Sequence, residues 1–265
     1  MSYLYKGKVK DIHFVDDKTF RFRFSDRISA YDVQFRESIP KKGEVLCKLA
    51  EYWFNQLSVK HHFIERLNNT DILVHKMDMI PMECIVRGYY YGGLVGRIQN
   101  IELAAKLPFP LFDPTTKSGH DELVTKQQAI KLKLVTKEQH EWLSSTSIDI
   151  YNQMSEIVDK VGFILCDIKL EFGMLDGEIV LGDSIGLDEC RLWPKDKYKV
   201  GQVQESYDKQ ILRDWLTDKG YKEKFDEDRA KGNPSVPPFL PDDLIETISN
   251  SYKIAYKQLT GYNLE

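Results

Sequence analysis

The 265 residues are enough for one large core or two modest ones, and 42% hydrophobic with 12% aromatic side chains is too rich in packing residues for disorder. Lys and Arg count 37 against 41 Asp and Glu, so the formal net charge is −4, which argues against a dedicated nucleic-acid binder. Residues 162–168 form the strongest apolar run, far short of the ~20 needed to cross a bilayer, and the first ten residues carry three lysines without a secretory apolar core, so a cytoplasmic protein is expected.

In chain order, Ile12 and Phe14 alternate with polar neighbours, Asp16-Asp17 supplies a turn, and Phe20, Phe22 and Phe24 alternate with Arg21, Arg23 and Ser25. This period of two predicts an antiparallel hairpin with one wet face. Val45, Leu49, Trp53 and Leu57 recur about every fourth residue and predict a helix over 44–57. Short strands are predicted at 72–76 and 83–86, and residues 108–122 read as a long polar loop. Thr136 and Gln139 form a capping box that opens a helix running to about Lys160, with Gly162 as its stop. Further helices are predicted over 207–219 and 241–259, with a charge-dense segment at 222–229 between them. The pattern is α+β, divided into a strand-rich lobe over 1–84 and a larger mixed lobe over 85–265, with a cleft between. The scattered Cys47, Cys84, Cys166 and Cys190 lack metal-ligand spacing and are expected as reduced, buried thiols.

Residues 162–193 carry the most chemistry. Ile164, Cys166, Ile168, Leu170 and Phe172 alternate with Leu165, Asp167, Lys169 and Glu171, so one strand face is apolar and the other presents acid, base and acid. Asp176-Gly177 is a hairpin signal. With a three-residue loop (Leu175, Asp176, Gly177), paired positions sum to 352 and Asp183 falls opposite Lys169; a two-residue loop turns Asp183 to the other side. The apolar run Ile179, Val180 and Leu181 does not choose between them, and the three-residue loop is the expected one because it assembles a site. Two carboxylates and a lysine on one face suit a magnesium nucleotide, the cation taking carboxylate and phosphate oxygens while the lysine neutralises phosphate. The ordinary alternative is a solvated strand face with a local ion pair.

Four further segments suggest binding, each with an ordinary alternative. Residues 4–10 set Gly7 among Lys6, Lys8 and Lys10, suited to phosphate or simply a charged terminus, with neither a Walker A nor a GxGxxG pattern. Residues 26–32 form a polar loop after a strand that could orient a sugar or hold a local Asp-Arg contact. Residues 87–93 join Arg87 to three tyrosines and Gly92-Gly93, an arginine fork beside a flexible turn. Residues 188–193 place Asp188 near Arg191.

Together, LYKGKVK (4–10), DRISAYD (26–32), IPMECIVRGYYYGG (80–93), TTKSGHDE (115–122), DIKLEFG (167–173), LGDSIGLDECRLW (181–193) and SYDKQILRDWL (206–216) resemble the SAICAR synthetase family, in family order. The resemblance implies a two-lobed fold akin to ATP-grasp and protein-kinase cores, with antiparallel sheets, flanking helices and nucleotide between the lobes. It implies a ligase of purine biosynthesis that joins the carboxylate of carboxyaminoimidazole ribonucleotide to the amine of L-aspartate at the cost of ATP, through an acyl phosphate. It further implies ATP and Mg2+ as cofactors, small-molecule partners only, no nucleic acid and no membrane, and it is compatible with a homo-oligomer. Carried over residue by residue, Lys8 and Lys10 with the Gly7 loop cover the ATP phosphates, and Lys76 with residues 79–83, including Glu83, holds adenosine. Glu171 and Asp183 bind magnesium, while Lys169 and Lys117 meet phosphate. Asp32, Arg87, Gly93, His120, Asp188, Arg191 and Arg213 hold the ribonucleotide, and Lys169, Asp183 and Arg191 act in catalysis.

The sequence departs from the family pattern after Asp183, where Ser184 replaces a glutamate and Gly186-Leu187 stands for Ser-Pro, and at Gly93, which replaces a serine. Two other functions are compatible with the residues. A kinase-like phosphotransferase could use Lys10, Glu171 and Asp183, although HRD and DFG motifs are absent. A catalytically silent nucleotide-binding protein would account for Ser184 and Gly93.

Overall fold

The computed structural model describes residues 3–31, 33–117, 122–207, 209–232 and 236–264. It divides into two compact units, the first made of Met1–Tyr52, Ile64–Val74 and Ser206–Glu265, the second of Trp53–Phe63 and His75–Glu205. The predicted N-terminal hairpin forms: β1 (Tyr3–Lys6), β2 (Lys10–Phe14) and β3 (Thr19–Phe24) pair antiparallel, and β4 (Arg27–Ala30) pairs with β5 (Val33–Ser38). Helix α1 (Lys42–Gln56) follows; Val45, Leu49 and Trp53 are at most 1% exposed and Leu57 just beyond it is 6%, which confirms the fourfold stripe. Strands β6 (Phe63–Arg66) and β7 (Asp71–His75) extend the first sheet in the order β1-β2-β3-β7-β6. Within the first unit, Asp26 accepts from the backbone N–H of Gly43 at 2.8 Å, and Arg27 donates to Asp11 and to the Gly7 carbonyl at 3.0 Å. The Asp26-Arg27 part of the polar loop is thus used for local structure.

The second unit is built on β8 (Asp78–Tyr89), β9 (Lys106–Phe112), β10 (Thr115–Thr116), α2 (Lys126–Lys131), α3 (Lys137–Lys160), β11 (Phe163–Leu175), β12 (Glu178–Leu181) and β13 (Cys190–Pro194). The expected long loop over 108–122 is instead largely strand at its start. Although Pro108 and Pro110 remove two donors, β9 lies at an edge of β8, where a proline is tolerated. The central strand β11 pairs with β8 on one side and with β12 and β13 on the other, so Phe163, Leu165, Ile168, Leu170 and Phe172 are all at most 2% exposed. Burial of each such side chain stabilises the unit by roughly 1.5–3 kcal/mol.

The Thr136 capping box of α3 forms with both of its reciprocal bonds, and Gly162 ends the helix at a φ of 83°. Tyr151 of α3 reaches across the sheet to donate to the Leu165 carbonyl at 2.8 Å. A side chain at Gly88 would begin 1.7 Å from that hydroxyl, which explains the glycine after Arg87. Helices α4 (Gln210–Asp218), α5 (Tyr221–Ala230) and α6 (Asp242–Thr260) complete the first unit. The charge-dense 222–229 segment proves helical, and Lys222 and Asp226 pair across one turn at 2.8 Å. All four cysteines are free and buried, and no helix among the described residues is long and apolar enough to cross a membrane.

Candidate active site

Pairing register places the charged face of β11 against matching residues. Glu171 stands opposite Glu83 of β8, and Glu83 in turn stands opposite Thr115 of β10. Two carboxylates face to face repel. Lys169 relieves this by donating to Glu83 at 2.9 Å and to Glu171 at 2.7 Å, Lys117 donates to the other oxygen of Glu171, and Thr115 donates to Glu83 at 3.3 Å. Burial alone would lower the Lys169 pKa, but Glu171, Glu83 and Asp183 outweigh it and raise it above the ordinary lysine value. The ammonium is therefore a fixed charge at neutral pH and not a base.

Two positions along β11, Asp167 stands opposite Arg87 of β8 and opposite Arg191 of β13. A register shift between Leu165 and Asp167 creates the second pairing; without it Asp167 would face Cys190. Arg191 donates to Asp167, as does Arg87 at 3.4 Å, and Arg87 also donates through Nε to Asp113 at 2.6 Å. Both guanidinium groups close on one turn. A side chain at Gly92, where φ is +56°, would begin 2.8 Å from Arg191, and one at Gly93 would begin 3.3 Å from Nη2 of Arg87. Arg191 also lies over the Tyr91 ring at 5.9 Å.

The hairpin corrects the expected register. Phe172 pairs with Leu181 and Leu175 with Glu178, sums of 353, so the loop has two residues; Asp176 and Gly177 have φ of 51° and 83°, the turn favoured by strand twist. The strand ends at Leu181, Gly182 still donates its N–H to the Glu171 carbonyl at 2.9 Å, and Asp183 beyond it has a φ of 55°. The turn at Asp183, just past the strand, leaves its charge close enough to help raise the Lys169 pKa. His62 secures it: its Nε2 lies 2.9 Å from the Asp183 carbonyl, and its backbone N–H donates to Leu181.

Of the remaining expected residues, Asp188 is half-buried in the turn before β13, and Lys76 is exposed between β7 and β8. Lys8, Lys10 and Arg213 belong to the first unit. There Lys8 is exposed next to Gly7, Lys10 lies over the rings of Phe22 and Phe24 at 5.3 and 5.9 Å, and Arg213 is half-buried on α4. Asp32 and His120 lie outside the described residues.

A model of the SAICAR synthetase family matches residues 3–228. Phosphoribosylaminoimidazole-succinocarboxamide synthase of Nitrosopumilus maritimus is 55% identical over 274 aligned positions covering 100% of both chains, and that of Candida maltosa is 38% identical over 97% of this chain and 94% of its own. The chain belongs to the SAICAR synthetase family. Its fold also matches SAICAR synthase from Saccharomyces cerevisiae complexed with SAICAR, with a TM-score of 0.85 at 32% identity over 100% of this chain and 96% of that one. A SAICAR synthetase in complex with ADP matches with a TM-score of 0.79 at 26% identity over 98% and 99%. The α+β fold with antiparallel sheets, read from the sequence as that of a SAICAR synthetase, is the observed one. Within this family member, sequence reasoning missed Asp113, Thr115 and His62 as neighbours of the charged face. Asp113 and Thr115 lay in the segment read as loop, and a strand assignment there would have brought them beside Arg87 and Glu83.

Proposed function

We propose that the charged face of β11 carries out the family reaction, ATP-dependent joining of the carboxylate of carboxyaminoimidazole ribonucleotide to the amine of L-aspartate, giving SAICAR, ADP and phosphate. The observation that carries this reading is the side-by-side arrangement of an acid-lysine row (Glu83, Lys169, Glu171 and Lys117) and an arginine pair (Arg87 and Arg191) at a Gly-Gly turn. A carboxylate is a poor electrophile, so its oxygen first takes the γ-phosphoryl group of ATP and ADP leaves. The aspartate amine then attacks the acyl carbon and phosphate leaves. The chain's contribution is positioning and charge neutralisation. Lys169 and Lys117 meet the phosphoryl oxygens, Arg87 and Arg191 orient the ribonucleotide with the Gly93 turn, and Asp188 and Arg213 complete its contacts. Lys8, Lys10 and Gly7 cover the ATP phosphates, while Lys76 and residues 79–83 take the adenosine.

A magnesium ion fits the donors. Glu171 and Asp183 offer only oxygen ligands, and a site of one or two carboxylates completed by phosphate oxygens suits a small hard cation that keeps several waters. Among the described residues no group of three or more His, Cys, Asp or Glu side chains is placed to hold a metal ion. When bound, the ion neutralises developing phosphate charge. A cytoplasmic location is part of the same reading. Purified protein given ATP, magnesium, aspartate and the ribonucleotide is expected to sustain ADP release, beyond one ADP per enzyme, only when aspartate is present. Sustained ADP release independent of aspartate would favour simple phosphoryl transfer, and no release would favour a silent binder; either outcome overturns the ligase reading.

A further inference from the structure

Arg87 is less than one-tenth exposed, and a buried guanidinium binds anions well only if its free edge is held in one direction. Its Nε is engaged at 2.6 Å by Asp113, a residue from the loop after β9, whereas the bond from Nη1 to Asp167 is long at 3.4 Å. Asp113 is itself fixed. Its backbone N–H donates to Ile85 at 2.8 Å, one residue beyond Glu83's neighbour on β8, and its carboxylate is 8% exposed. The same carboxylate receives both terminal nitrogens of Arg97 at 2.7 Å, and Arg97 Nη1 also reaches the Gly93 carbonyl at 3.4 Å. One carboxylate thus connects the two components that face the anion: the Arg87 fork directly, and the Gly92–Gly93 turn through Arg97. The three arginines (87, 97 and 191) against two aspartates (113 and 167) leave one net positive charge for the substrate.

We propose that Asp113 is a positioning residue for the ribonucleotide: it holds the Nε edge of Arg87 so that the terminal nitrogens face the Gly93 turn, and through Arg97 it holds that turn. This rests on the reading of Arg87 as a ribonucleotide contact. It also accounts for how the site functions with glycine at position 93. No serine hydroxyl is there to steer Nη2 of Arg87, so the orientation comes from behind, through Nε.

The test is initial-rate kinetics on the full chain with each substrate varied in turn. Asp113→Asn keeps the shape but loses the charge. It is expected to raise KM for the ribonucleotide about tenfold, as for loss of a charged hydrogen bond, while kcat and KM for ATP and aspartate stay within about twofold. An unchanged ribonucleotide KM overturns the proposal, and so does an equal rise in all three KM values accompanying a lower melting temperature. If Asp113→Asn does not fold, Asp113→Glu is read the same way, with an expected rise of about threefold from a carboxylate displaced by one methylene. Arg87→Lys separates the two readings. If it leaves the ribonucleotide KM unchanged, the reading of Arg87 itself fails. If it raises KM while the Asp113 variant does not, only the present inference fails. In the double variant Arg87→Lys with Asp113→Asn, only the route through Arg97 remains, so the rise in KM is expected to be smaller than the product of the two single rises; a full multiplicative rise would show that Asp113 does not act through Arg87.

Discussion

The acid-lysine row and the arginine cluster share one sheet, yet they are built differently. In the row the acids are buried and the cations only partly so: Glu171 and Glu83 side chains are 6% and 11% exposed, while Lys117 and Lys169 are 38% and 32%. In the arginine cluster Arg87 is as buried as its acids, with Arg87, Asp113 and Asp167 each 8% exposed, while Arg191 and Arg97 lie nearer the surface. An ammonium on a flexible stem can leave a carboxylate for a phosphate, whereas a fork engaged on its Nε edge cannot turn away. The row is therefore suited to charge that arrives and leaves during the reaction, and the cluster to a group that must stay still.

Substitutions on each side should separate these roles. The largest effect is expected for Glu171→Gln, which removes a proposed metal ligand and the partner of two lysines; kcat for ADP release should fall about a thousandfold. Retention of more than a tenth of the wild-type kcat would remove the row from the chemistry. Next comes Gly92→Ala. The substitution forces a side chain into a left-handed conformation and toward Arg191 at 2.8 Å, so KM for the ribonucleotide should rise at least about tenfold with KM for ATP unmoved. A matching rise for ATP would erase the distinction between the two regions. The smallest effect concerns pH. Burial pushes the Asp113 carboxyl up, but hydrogen bonds from Arg97 and Arg87 outweigh this and hold it below its ordinary value of 3.8. Its contribution to stability is thus fully present above pH 3.8 and lost as pH falls through the lower folded value. Denaturant unfolding should show the stability gap between wild type and Asp113→Asn narrowing below pH 3.8; a gap independent of pH would mean that the charge of Asp113 adds nothing.

Local chemistry made much of this legible. The Thr136 capping box, the fourfold stripe of α1 and the alternation of Phe20, Phe22 and Phe24 each depend on neighbours in sequence, and each formed as read. The hairpin register did not follow, because Ile179, Val180 and Leu181 satisfy either face; only the left-handed geometry at Asp176 and Gly177 decides it. Asp183 nevertheless helps raise the Lys169 pKa, from a left-handed residue just past the strand that alternation does not encode. Asp113 was hidden for a different reason. It lies 26 residues from Arg87, after a strand whose two prolines resemble loop punctuation, and its role emerges only when β9 is seen on the edge of β8.

Strand β11 supplies residues to both regions and is hydrogen-bonded along both edges. Amide protons in such a strand exchange with solvent chiefly when a whole cooperative segment opens, so they should be among the slowest in the second unit. Lys169 and Glu171 therefore ride on backbone that local fraying does not reach. Their mutual geometry is as durable as the sheet itself, and heat or denaturant should abolish it together with the sheet in a single step.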